Sequence, residues 1–129
     1  MSVRKYAGVG FGFVFSLLFA ATAMANTIGP NIIGNKSPGW NSETFQDQTQ
    51  NTDYFWIQQC SSSSSTAKFD LMHHWFALPS TGTAERSLTC VNTQSWKQAS
   101  WGNAATADYS VEYTHNNVAT VSLWYQIQY

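Results

Sequence analysis

Any chemistry in this chain must be built from three histidines, seven carboxylates, two cysteines and six tryptophans. His73 and His74 are adjacent. Imidazoles serve as general bases and metal ligands, but neighbours on a strand point to opposite faces, so this pair cannot hold one metal ion without a bulge. His115 stands apart, next to Asn116-Asn117. The carboxylates Glu43, Asp47, Asp53, Asp70, Glu85, Asp108 and Glu112 are dispersed along the chain. A glycosidase works through two carboxyl groups at a set separation in space, which spacing in sequence does not reveal. None of HExxH, CxxC, GxSxG, a phosphate-binding loop or a calcium-binding loop is present. The expectation is a non-enzymatic protein with no catalytic residues, no cofactor and no metal. The rival is a small hydrolase using His73 or His115 with a carboxylate, for which a His→Ala change abolishes activity without unfolding the protein.

Compartment bears on the cysteines. Arg4 and Lys5, an apolar and glycine-rich run from Tyr6 to Ala21, and then Ala23-Met24-Ala25 have the three-part layout of a secretory signal, with cleavage expected before Asn26. Gly8, Gly10 and Gly12 break up the run and argue against a membrane anchor. Residues 26–129, 129 − 25 = 104 in all, then form a single domain that is secreted, or periplasmic in a Gram-negative source. An exported even pair of cysteines is ordinarily a disulfide, so Cys60 and Cys90 are expected to be bonded.

Beyond the signal, four Lys/Arg face seven Asp/Glu, a balance of −3. That leaves no basic footprint for phosphates and excludes nucleic acid as a partner. With so few charges the surface must stay soluble on amides and hydroxyls, while the same 104 residues hold six Trp, five Tyr and four Phe. Trp40, Trp96 and Trp101 fall in segments rich in Gly, Ser and Asn, and Trp124 falls on the polar side of an alternating strand. These four are the expected contact residues, since exposed indoles mark interaction surfaces. The competing reading is that Trp40 and Trp101 fold back as plugs over the ends of the domain.

The elements that must position them read as strands. Residues 26–52 are dominated by Asn, Gly, Pro, Ser, Thr and Gln, and support at most one short strand near Thr27–Ile33. Asn35-Lys36-Ser37 fits a glycosylation sequon, which matters only in a eukaryotic source. Asp53 to Cys60 is rich in aromatic and β-forming residues, and the serine run from Ser61 to Ser65 is a turn. Phe69, Leu71, His73 and Trp75 share the buried parity of the next strand. Arg86 to Asn92 is a further short strand, and Ser95 to Ala105 reads as a loop. Ala107, Tyr109, Val111 and Tyr113, then Val121, Leu123, Tyr125, Ile127 and Tyr129, alternate with polar residues around Asn116-Asn117, which predicts a hairpin. No helical period is evident. The expected fold is all-β, a small antiparallel β-sandwich with one disulfide following an N-terminal signal peptide.

Residues Val121 to Tyr129 also look like the closing strand of a bacterial outer-membrane β-barrel. That resemblance covers one strand and the signal, and eight strands of about 9–11 residues would consume nearly the whole domain, against the loop-like first quarter. The expected function is recognition of a cell-surface or extracellular glycan or protein through exposed aromatics. The alternative is a small secreted antimicrobial or membrane-active protein, with contact at a membrane surface.

Overall fold

Strict alternation of apolar and polar side chains, with β-branched and aromatic residues at the apolar positions, gives this chain strands that bury one face each. The computed structural model describes residues 26–48, 50–115 and 119–129. The expected signal segment and the Asn116-Asn117 turn lie outside those residues. Eight strands are described: β1 (Thr27–Lys36), β2 (Phe45–Asp47), β3 (Thr52–Ser62), β4 (Thr66–His74), β5 (Thr81–Thr89), β6 (Lys97–Asn103), β7 (Ala107–Tyr113) and β8 (Val121–Gln128). A front sheet has the order β1-β8-β3-β6 and a back sheet the order β2-β7-β4-β5, with all neighbours antiparallel. Pairing first with last, second with seventh, third with sixth and fourth with fifth is the jelly-roll arrangement of a β-sandwich.

The core lies between the sheets. Phe55, Ile57, Val121, Leu123, Tyr125 and Ile127 of the front sheet meet Phe69, Leu71, Tyr109, Val111 and Tyr113 of the back sheet, all buried. Each large apolar side chain removed from water stabilises the fold by about 1.5–3 kcal/mol. Aromatic rings cross the layer boundary, with Phe55 and Phe69 centroids 4.8 Å apart.

Four expectations are corrected by this topology. The C-terminal segments do not form a hairpin: β7 pairs with β2 and β4, whereas β8 pairs with β1 and β3. Each carries a full inward row of large apolar residues, and two such rows are best buried facing one another across the core rather than side by side. Residues 97–103 are the edge strand β6, not loop; its inward positions include the small Ala99 and its outward ones are polar, so the alternation is faint. The first segment holds the longer strand β1, with register shifts between Ile28 and Asn31 and between Ile33 and Lys36 that blur its period, and also the short β2. Trp75 shares the buried parity but lies past the end of β4 and is exposed.

The Cys60–Cys90 disulfide is present, with Cα atoms 4.9 Å apart, and it joins the front sheet at β3 to the back sheet just beyond β5. A structural disulfide fits an oxidising compartment. The flanks of the sandwich are bridged as well. Trp101 Nε1 donates to the Ala84 carbonyl at 2.6 Å and Arg86 Nε to the Ser100 carbonyl at 3.0 Å, tying β6 to β5. On the opposite flank Glu43 accepts from Tyr125 OH at 2.6 Å and from Asn31 Nδ2 at 3.0 Å.

Candidate binding face

Inward residues of the front sheet fill the core, so the alternate residues form its outer face. Cross-strand register sets them in rows: Thr27, Gln128, Tyr54 and Ser100; then Gln126, Trp56 and Gln98; then Ile32, Trp124 and Gln58. Side chains in such rows are neighbours, with strands about 4.8 Å apart and successive outward positions about 6.6 Å apart along a strand. The rows contain no charged side chain. Tyr54 and Trp56 lie with ring centroids 6.0 Å apart. Trp96, just before β6, joins Trp56, Gln126 and Gln128 around an open hollow of about 230 Å³.

The four tryptophans singled out from sequence thus divide. Trp96 and Trp124 belong to this face, both half-buried. Trp40 packs edge-on against Tyr125 with centroids 5.4 Å apart, and Trp101 faces inward and closes the β5–β6 flank through its indole N–H. Both therefore act as plugs of the sandwich. Trp56 and Tyr54 were not singled out, although the alternation of Asp53, Phe55 and Ile57 with Tyr54, Trp56 and Gln58 is the same signal that marked Trp124.

The histidines do not assemble a metal site, and no group of three or more His, Cys, Asp or Glu is gathered among the described residues. His73 stacks on Trp75 with centroids 3.9 Å apart. His74 lies in a hydrogen-bonded chain, its Nδ1 2.6 Å from Ser80 Oγ and its Nε2 2.8 Å from Ser110 Oγ, which itself donates to Asn41 Oδ1. Because Ser110 donates to Asn41, its oxygen is left to accept from His74 Nε2–H. His115 Nε2 lies 3.1 Å from Ser64 Oγ.

Two of the dispersed carboxylates do meet. Asp47, at the end of β2, and Asp53, near the start of β3, are each 1% exposed and lie within hydrogen-bond reach of one another. Neither oxygen of Asp53 receives a hydrogen bond from a described donor. Burial, then the hydrogen bond to Asp47, then its negative charge push the Asp53 carboxyl up from 3.8 to about 8. The same burial and pair of acids raise Tyr109 above the usual phenol range. A closed pair of this kind holds a proton, but at this burial it offers no surface to a substrate. Tyr125 is pushed up to about 12 by its burial and its hydrogen bond to the Glu43 carboxylate.

Comparison with protein-family models, with curated proteins and with solved structures found no match to this chain.

Proposed function

We propose that the protein is an exported, non-enzymatic binding module that recognises an extracellular or cell-surface glycan on the outer face of the front sheet. The observation that carries this reading is the uncharged set of rows in which Tyr54, Trp56 and Trp124 alternate with Gln58, Gln98, Gln126 and Gln128. Indole and phenol rings stack on the apolar face of a sugar ring, while the flanking amides donate to and accept from its hydroxyls. A protein partner would favour an apolar centre, and this face offers one exposed aliphatic side chain, Ile32. The hollow beside Trp96 gives a ring a place to seat.

The test is titration of tryptophan fluorescence with soluble polysaccharides, together with co-sedimentation on insoluble cellulose, chitin, mannan and peptidoglycan. At least one polymer is expected to shift the emission, and Trp56→Ala or Trp124→Ala is expected to weaken that binding about ten-fold or more. Trp40→Phe and Trp101→Phe are expected to leave it unchanged. Absence of any spectral or sedimentation response across the panel would sink the reading.

A further inference from the structure

The sixth tryptophan belongs neither to the core nor to the outer face. Trp75, Phe76 and Leu78 form the tip between β4 and β5 and are 48%, 99% and 65% exposed. Single exposed apolar residues are ordinary, but three within four positions on one projecting turn form a contact surface. The tip is held from below. Trp75 Nε1 donates to Thr81 Oγ1 at 2.8 Å, Ser80 is bonded to His74, and Trp75 stacks on His73. Ala77 takes φ 58°, a left-handed conformation that a non-glycine residue adopts only where its surroundings hold it.

The surroundings indicate the occupant. Residues 75 to 84 contain no charged side chain. The same end of the sandwich carries the turns at 48–51 and 104–106, whose described residues are Gln48, Gln50, Asn51, Ala104, Ala105 and Thr106. Among the described residues the one exposed charged side chain at that end is Asp108, since Asp47 and Asp53 are buried. An indole with its N–H already bonded, set at the base of a tip that presents a phenylalanine and a leucine, matches the gradient of a bilayer. Trp suits the headgroup level, and Phe and Leu suit the acyl boundary. An end whose one exposed charged side chain is an acid, and a net −3 beyond residue 25, fit attachment without attraction to anionic lipid.

We infer that the β4–β5 tip is a lipid-inserting site, which seats Phe76 and Leu78 in the interface of a zwitterionic bilayer and brings this end of the sandwich onto the membrane. It stands on residues separate from the glycan face, and either site can fail without the other.

The experiment is flotation of the purified protein with phosphatidylcholine vesicles. Wild type floats, and raising salt from 0.1 to 0.5 M leaves this unchanged. Phe76→Ser/Leu78→Ser, whose fold is verified by an unchanged thermal midpoint, loses about 30-fold or more in partitioning. Trp56→Ala/Trp124→Ala floats as wild type does, which separates this site from the proposed glycan face. Three results would overturn the inference: no flotation of wild type, undiminished flotation of the tip variant, or wild-type dimers that the tip variant converts to monomers without any vesicle binding. The last would assign the tip to contact between two copies of the chain.

Discussion

Asp53 is a buried acid, and its proton makes stability depend on pH. In the unfolded chain the carboxyl titrates near 3.8 and in the folded protein near 8. Between those values the folded state holds a proton that the unfolded state has released, so the contribution is complete below about pH 4 and is lost as pH rises through 8. Thermal melts are therefore expected to show stability falling from pH 5 to pH 9 by a few kcal/mol. The ceiling is about 5 kcal/mol for a difference of roughly four pH units. Asp53→Asn, which keeps a neutral donor beside Asp47, is expected to flatten that profile; an unchanged slope would exclude Asp53 as its source. The carboxylate pair was not legible in sequence because Asp47 and Asp53 approach from different sheets. Six residues of separation do not say whether two side chains share a cavity. Trp56 lay within reach of the same parity reasoning that marked Trp124, since it alternates with Phe55 and Ile57, but it was not singled out.

Among the elements, the two flanks and the bulges of β1 set how well the sheets close. The indole N–H of Trp101 satisfies a carbonyl on the neighbouring sheet. Trp101→Phe keeps most of the packing and removes that bond, so it is expected to cost about 1–2 kcal/mol in urea melts and to speed amide exchange in β5 and β6. In β1, Gly29 has φ 93°, and a Cβ there would lie 2.7 Å from the Tyr125 carbonyl oxygen, whereas one at Gly34 meets nothing within 4 Å. Gly29→Ala is expected to destabilise by about 2 kcal/mol or more, with Gly34→Ala near neutral; equal effects would contradict the bulge geometry. The strands of strong period, β4, β7 and β8, were read from sequence at nearly their observed bounds. Strand pairing was not, because alternation specifies which face of a strand is buried and leaves its neighbours open. The faint strands β2 and β6 share a cause, being short or small-sided edges whose burial comes from tertiary contact.

At the scale of the whole molecule, the disulfide closes a loop that contains β4 and β5 and fastens the two sheets. Reduction is expected to cost about 3–4 kcal/mol by the loop-entropy estimate, read as a lowered urea midpoint. The strand order carries a kinetic consequence. β1 has one neighbour, and that neighbour is β8, the last strand of the chain. As the polypeptide emerges from its N-terminus, roughly the first ninety residues of the domain pass before β1 meets any partner, and β3 likewise waits for β6 and β8. Folding of this kind is governed by distant contacts and proceeds slowly, with an unpaired edge bearing Ile32 and Ile33 exposed to other chains meanwhile. A chain truncated before Val121 is accordingly expected to lack a cooperative melt and to aggregate, so residues 121–129 act as the latch on β1.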